Sequence, residues 1–301
     1  MAKKSAINRS SFTEKLFDLI INILMVIVII ATLYPFLNVL AISFNDSTDT
    51  VRGGIHIWPR EFTLKNYETI FGYGNLTTAF INSVLRTVIG TVIGLIACTM
   101  LAYAISRKDF QARRFMSVFL VLTLFFSGGL IPGYMLIRDL GMINSFWVYV
   151  LPGMVNAFYV FMIRSFIDNL PISLQESAKI DGANDFTIYL KVIIPLCTPI
   201  LATMALFISV GQWNSWFDTY IYNGSNEALT TLQYELMKIL QTTQVTAGAD
   251  AQRMNEANRQ MVSPESVKMA ISMVTIFPIL CVYPFMQKYF VKGMTIGSIK
   301  S

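Results

Sequence analysis

Two short stretches hold the residues whose types and spacing could do chemistry. The first runs Glu176-Ser-Ala-Lys-Ile-Asp-Gly-Ala-Asn-Asp-Phe-Thr-Ile-Tyr-Leu-Lys-Val-Ile-Ile-Pro195, a polar insert between long apolar runs. Its chemistry is recognition. Ala178, Gly182 and Ala183 form a ledge of small residues that a partner backbone can approach closely. Gly182 can take the left-handed conformation that ends a helix, and Asn184 can cap the next one, so the chain turns back as a helical hairpin. Ser173-Leu-Gln-Glu176 has the pattern of a capping box, in which Glu176 bonds back to the Ser173 amide and stiffens the first turn. Asp181, near the C-terminal end of that helix, opposes the helix dipole and invites a cationic partner group.

The second stretch is Gly211-Gln-Trp-Asn-Ser-Trp-Phe-Asp-Thr-Tyr-Ile-Tyr222. Gln212, Asn214 and Asp218 bring amides and a carboxylate close to membrane depth, where such groups face a cavity or a partner helix. Trp213 and Trp216 add ring faces. Aromatics beside amides suit a sugar, because rings stack on its apolar face and amides bond its hydroxyls. The competing reading is an aromatic belt that anchors a helix end, which Trp216, Tyr220 and Tyr222 fit equally. Asn82, Asn156 and Tyr159 are further candidates for the same path. Arg86 and Arg164 either snorkel to an interface or pair internally.

Reactive constellations are missing. No segment matches G-x-x-x-x-G-K-[ST], a dinucleotide fingerprint, H-E-x-x-H or G-x-S-x-G, so the expectation is no enzyme, no catalytic residue, no metal site and no cofactor bound by this chain. ATP and Mg, if used, belong on another chain. His56 is the single histidine. The three cysteines, Cys98, Cys197 and Cys281, lie in or beside apolar runs without metal spacing, and read as buried packing thiols.

Lipid is the solvent these stretches sit in. Of 301 residues, 54% are hydrophobic and 14% charged, with a mean hydropathy of +0.55. Six apolar runs, residues 17–44, 78–105, 115–137, 146–166, 192–213 and 267–290, are long enough to cross a hydrocarbon core, which takes about 20 residues. The first is too long for a cleaved signal peptide. Threading the N-terminus inside collects 14 of the 23 Lys and Arg on one side, from Lys3, Lys4, Arg9 and Lys15 through Arg107, Lys108, Arg113 and Arg114 to Lys288, Lys292 and Lys300. By the positive-inside rule that side is cytoplasmic, and the Glu176 hairpin falls on it.

The implied organisation is a cytoplasmic segment 1–16, a permeation domain 17–290 and a cytoplasmic tail 291–301. External loops cover about 45–77 and 217–264, and the cytoplasmic hairpin loop about 168–191. The first external loop has room for one short helix. In the second, apolar residues at helical spacing predict an amphipathic helix over 229–240, which packs on span ends or meets a partner. Residues 241–260 are a flexible loop or a solvated helix. Ser263-Pro264-Glu265 reads as the N-cap of the last span. Pro35, Pro132, Pro152, Pro195, Pro199, Pro278 and Pro284 lie in or near the runs and can kink them. Gly90, Gly94 and Gly128-Gly129 fit close helix packing.

The 176–195 stretch resembles the "EAA" loop of binding-protein-dependent ABC importer permeases. Glu176, Ala178, Asp181, Gly182, Ala183 and Pro195 fall in register, while Ser177 replaces the central Ala, Val192 the Ile and Ile194 the Leu. Phe125-Phe-Ser-Gly-Gly-Leu-Ile-Pro132, Trp213-Asn-Ser-Trp-Phe-Asp218, Leu229-Thr-Thr-Leu-Gln-Tyr-Glu-Leu-Met-Lys238 and Lys288-Tyr-Phe-Val-Lys-Gly-Met-Thr-Ile-Gly297 resemble carbohydrate importers of the maltose-permease type, in the complex-oligosaccharide branch. The resemblance implies an all-α, polytopic protein of about six spans with the type I importer (MetI-like) fold. It would sit in a bacterial inner membrane with both termini cytoplasmic. Its implied partners are a second homologous permease, two ATPase subunits, an extracellular solute-binding protein, a sugar or oligosaccharide and membrane lipid, with no nucleic acid. The hairpin would dock in the ATPase, and a tail including Lys292, Gly293, Met294 and Gly297 would touch it. Other solutes share the hairpin, so a non-sugar importer stays open. A secondary transporter or channel does not explain the hairpin.

Overall fold

The computed structural model describes residues 12–72, 75–246 and 263–298, and among them every extended element is helical. Contacts divide the chain into two compact units, one holding residues up to Ile70 and the start of the last helix, the other holding the rest.

In the first unit, α1 (Phe12–Ser43) is a 32-residue helix whose apolar side chains, such as Phe17 and Ile30, are exposed along most of its length, as lipid-facing residues are. The segment after it contains two short helices, α2 (Ser47–Thr50) and α3 (Lys65–Gly72), where the sequence suggested one. Asn45 is the hub. Its Oδ1 accepts the Arg60 and Glu61 amides at 2.8 and 2.9 Å, and its Nδ2 donates to Asp49 at 3.0 Å. Asp49 also takes Arg60 Nε at 2.9 Å, and the Asn45 bond leads in holding its carboxyl below the usual range.

The second unit is built around α4 (Leu76–Ser106), 31 residues with no proline and a polar stop at Arg107. Among the described residues three helices are long and apolar enough to span a bilayer, α1, α4 and, over Glu265–Val282, the last helix, α14 (Pro264–Ser298); a bent pair at 185–214 makes a fourth if it is one span. The run at 115–137 is two helices, α5 (Arg113–Phe125) and α6 (Leu130–Asp139), because Gly129 takes φ +87° and breaks the ladder. Among the described residues, its chain neighbours aside, none comes within 4 Å of a Cβ built on Gly129, so within the described residues this glycine serves a bend rather than the close packing expected. The run at 146–166 holds a 3-10 turn (Phe146–Tyr149), an irregular stretch at Pro152-Gly153, and then α7 (Ala157–Asp168). The hairpin follows as α8 (Ser173–Ile180) and α9 (Asp185–Ile188). A π turn (Tyr189–Ile193) and α10 (Ile194–Leu196) lead to α11 (Thr198–Asn214), with a bend of 82° between the α9–α10 segment and α11. Then come α12 (Phe217–Tyr222) and α13 (Leu232–Thr246).

Pro132 lies in the first turn of α6, where the missing N–H is unbonded anyway. Pro195 and Pro199 flank the 82° break before α11, as prolines that kink a run do, and Pro35, Pro278 and Pro284 are interior to α1 and α14. Ser263 accepts the Ser266 amide at 3.2 Å and opens α14 as its sequence foretold.

The core of this unit joins α4, α7, the hairpin and α11 through Cys98, Ala102, Ile105, Val160, Ile163, Ile188, Ile193 and Cys197. Lipid tails are as apolar as these side chains, so close van der Waals fit rather than water exclusion holds them. Gly94 shows this: a Cβ there would sit 3.5 Å from the Met154 carbonyl. Cys98 and Cys197 are buried as expected, whereas Cys281 is exposed in this chain.

Candidate functional site

The hairpin forms by local chemistry. At the end of α8 the Ala183 amide donates to the Ala178 carbonyl at 3.0 Å and the Gly182 amide to the Lys179 carbonyl at 3.0 Å. With Gly182 at φ +82°, this is a complete Schellman termination. Asn184 then accepts the Thr187 amide at 2.8 Å and starts α9. The capping box does not form. Helical turns already begin at Pro171, with the Leu174 amide on the Pro171 carbonyl and the Glu176 amide on the Ile172 carbonyl, so Ser173 is inside the helix and cannot cap it. Glu176 and Ser177 are left exposed.

The small-residue ledge divides. Ala178 and Ala183 pack against the chain's own core, while a Cβ on Gly182 would meet open space. Beside Gly182 stand Asp181, exposed, and two apolar side chains that the sequence reading did not single out: Ile180, 86% exposed, and Phe186, 61% exposed. Together they give the hairpin tip an exposed apolar pair beside its small-residue step. Pro195 is exposed at the start of α10.

Charge fastens the hairpin to the end of α4. Arg107 Nη1 donates to Asp185 at 2.7 Å and to the Tyr103 hydroxyl at 3.0 Å; its Nε donates to Asp109 at 2.8 Å, and its Nη2 also bonds Asp109. Lys179 closes the ring, with Nζ 3.3 Å from Asp109 and 3.9 Å from Asp185. The Arg107 bonds, and after them Lys179, hold the Asp109 carboxyl well below the usual carboxylate range, and Asp109 in turn pushes the Arg107 guanidinium up.

At the other end of α4 the second stretch meets a stripe of polar residues at helical spacing, Asn82, Ser83 and Arg86. Arg86, 1% exposed, donates to both oxygens of Asp218 at 3.1 and 2.5 Å, to Gln212 Oε1 at 3.2 and 3.3 Å and to the Ser215 carbonyl at 3.2 Å. It also lies 4.5 Å over the Tyr149 ring. Gly90 makes room, since a Cβ there would come within 2.8 Å of the Gln212 side chain. Asn82 donates to the Ala228 and Thr230 carbonyls at 2.8 and 2.9 Å, Ser83 accepts the Leu232 amide at 2.8 Å, and Tyr149 donates to the Leu229 carbonyl at 2.5 Å.

Most of the polar residues expected to face a sugar are therefore engaged within the chain. Asn82, Gln212 and Asp218 hold the 212–232 segment. Trp213 is buried, its Nε1 donating to the Thr275 carbonyl at 3.0 Å. Asn156 caps α7 by accepting the Phe158 amide at 2.9 Å, and Tyr159 packs on the core; no hydrogen bond among the described residues joins either to Gln212, Asn214 or Asp218. Asn214 alone of the three in that trio is exposed, with Trp216 partly so, edge-on to Phe217 and tilted against Tyr220. Arg86 settles the alternative left open by its sequence position: it pairs internally. Arg164 does so too, with Asp168 at 3.3 Å and Ser117 at 2.9 Å. The signal for Arg86 was present, since a lone arginine in an apolar run needs an acid, but its acid lies 132 residues on. Lys292, Gly293, Met294 and Gly297 fall within the helical backbone of α14, and their side chains lie outside the described residues.

Residues 90–296 match the profile of the family described as "Binding-protein-dependent transport system inner membrane component". Among relatives, the polygalacturonan/rhamnogalacturonan transport system permease protein of Bacillus subtilis is 34% identical over 95% of this chain and 99% of its own length. An arabinooligosaccharides transport system permease protein of Halalkalibacterium halodurans is 30% identical over 89% of this chain and 91% of its own. Among solved structures, a chain from a bacterial ABC transporter involved in the import of the acidic polysaccharide alginate superposes with a TM-score of 0.79 at 28% identity, covering 93% of this chain and 99% of that one.

Proposed function

Because the chain belongs to the binding-protein-dependent transport system inner membrane components, we propose that it is one permease subunit of an ATP-driven importer for a sugar or oligosaccharide. In this reading a separate ATPase pair hydrolyses ATP, a second homologous permease completes the channel, and an extracellular binding protein delivers the solute. Both termini and the 168–191 loop are cytoplasmic. The α14 end, with Lys292, Gly293, Met294 and Gly297, reaches the ATPases as well. The carbohydrate substrate is supported by the names of the similar permeases, which belong to polygalacturonan/rhamnogalacturonan and arabinooligosaccharide transport systems.

One observation carries the reading: a Schellman-capped hairpin that turns Gly182, Ile180 and Phe186 outward on a base packed into the core. Such a hairpin is stiff where it joins its own chain and bare where it meets another. Asn214 and Trp216 are the residues left to line the sugar path, with Gln212, Asp218 and Asn82 positioning them.

The test is Gly182→Trp in the reconstituted complex. Left-handed strain costs about 1–2 kcal/mol, and open space takes the ring, so spans should insert normally. Binding-protein-stimulated ATP hydrolysis should be lost. A normal stimulated rate would refute the docking role.

A further inference from the structure

Besides the apolar packing of Ile188 and Tyr189 against α4 and α7, two routes lead from the hairpin into the membrane. The covalent one passes a π turn and a three-residue helix, then bends by 82° into α11. That route changes winding and direction within a few residues, so it is not one straight element. The other route leaves the chain: Arg107 crosses from Asp185 on α9 to Tyr103 and the end of α4. From there α4 runs unbroken for 31 residues, about 46 Å at 1.5 Å per residue. Its far half carries Asn82, Ser83 and Arg86, which hold the 212–232 segment.

We propose that Arg107 is a positioning residue that fastens the hairpin to α4, so that α4 acts as the rod carrying hairpin movement to the 212–232 segment beside Asn214. This rests on the hairpin being the ATPase dock. The side chain suits the task. Arg107 is 11% exposed and joins two local groups, Tyr103 one turn back on α4 and Asp109 just beyond its end, to one distant group, Asp185 of the hairpin. A lysine carries the charge without the planar fork and cannot hold that arrangement. Lys179, more exposed, adds charge to the ring but reaches no group on α4 itself.

The experiment needs no sugar. The complex is assembled with a chain lacking native cysteines and carrying Asn214→Cys, and labelling by a membrane-impermeant maleimide is compared between the nucleotide-free and vanadate-trapped states. The expected rate change is about fivefold or more, the lower end of a coupling free energy of 1–3 kcal/mol. Arg107→Ala and Arg107→Lys should still hydrolyse ATP and trap vanadate, yet lose that change. A change that persists in both overturns the proposal, as does a parental chain whose Asn214→Cys labelling never responds. Asp185→Ala breaks the same link from the hairpin side and serves if the Arg107 variants fail to assemble, with the same two outcomes. Gly182→Trp runs in parallel. If it hydrolyses ATP normally, the docking reading fails; if it is silent while Arg107→Ala retains the change, only the rod fails.

Discussion

At one end of α4, Arg86 is sealed against Asp218, with their side chains 2% and 22% exposed. At the other end Arg107 meets Asp109 and Asp185, which are 60% and 65% exposed, and Lys179 at 47%. The same residue types do opposite work. A buried pair is rigid because losing a partner strands a charge in low dielectric. In the second cluster Arg107 is itself only 11% exposed and keeps its partners, while the exposed outer carboxylates let water take up the change when hairpin and α4 move together. The first cluster sets a fixed point beside the exposed Asn214. The second ties down the hairpin proposed above as the docking element.

The contrast breaks most easily at Arg86. Arg86→Leu leaves Asp218 and Gln212 without their donor, and the chain should lose about 3–5 kcal/mol. That is read as a lower thermal midpoint or yield of purified chain. The double change Arg86→Leu with Asp218→Leu should recover most of the loss, since it strands no charge. Full stability of Arg86→Leu alone would mean the pair fixes nothing.

A smaller effect follows from Gly90. A Cβ there would sit 2.8 Å from Gln212 Cδ and Nε2, so Gly90→Val pushes Gln212 off Arg86 and should cost about 1–3 kcal/mol. Gly94→Ala is the control, because its Cβ meets only ordinary contacts at 3.5 Å and beyond. If both are neutral, the Gln212 arm of the cluster is dispensable.

Sequence reading fared differently at the two ends. Gly182 and Asn184 announce their roles because left-handed backbone and side-chain capping are local, and the structure uses both. The capping box misled because Pro171, two residues before Ser173, had already begun the turn. Long-range pairing is the part that spacing cannot encode. Asn82 reads as a sugar contact until the Ala228 and Thr230 carbonyls arrive, 146 and 148 residues later. Gly128-Gly129 looked like a packing face, and nothing in the stretch 126–129 tells a packed glycine from one that breaks a helix. Ile180 and Phe186 passed unnoticed because apolar residues in a membrane protein draw no attention until their exposure is known.

The least disruptive test of the comparison is at Asp109. Its carboxyl is held well below the usual range by Arg107 and then Lys179, so its folded value is lower than its unfolded one. The sign follows: its contribution is present above the unfolded value of 3.8 and is lost as pH falls through the depressed folded value. Between pH 5 and 8 the ring should therefore not titrate through Asp109. Salt reaches it instead, since half-exposed pairs contribute about 0–1 kcal/mol and are screened. Raising ionic strength, or Asp109→Asn at low salt, should speed amide hydrogen exchange across α8 and α9 and leave the amides of 215–219 beside Arg86 unchanged. Equal acceleration at both ends would show that the two clusters hold charge in the same way, and the division between a fixed point and a movable tether would go with it.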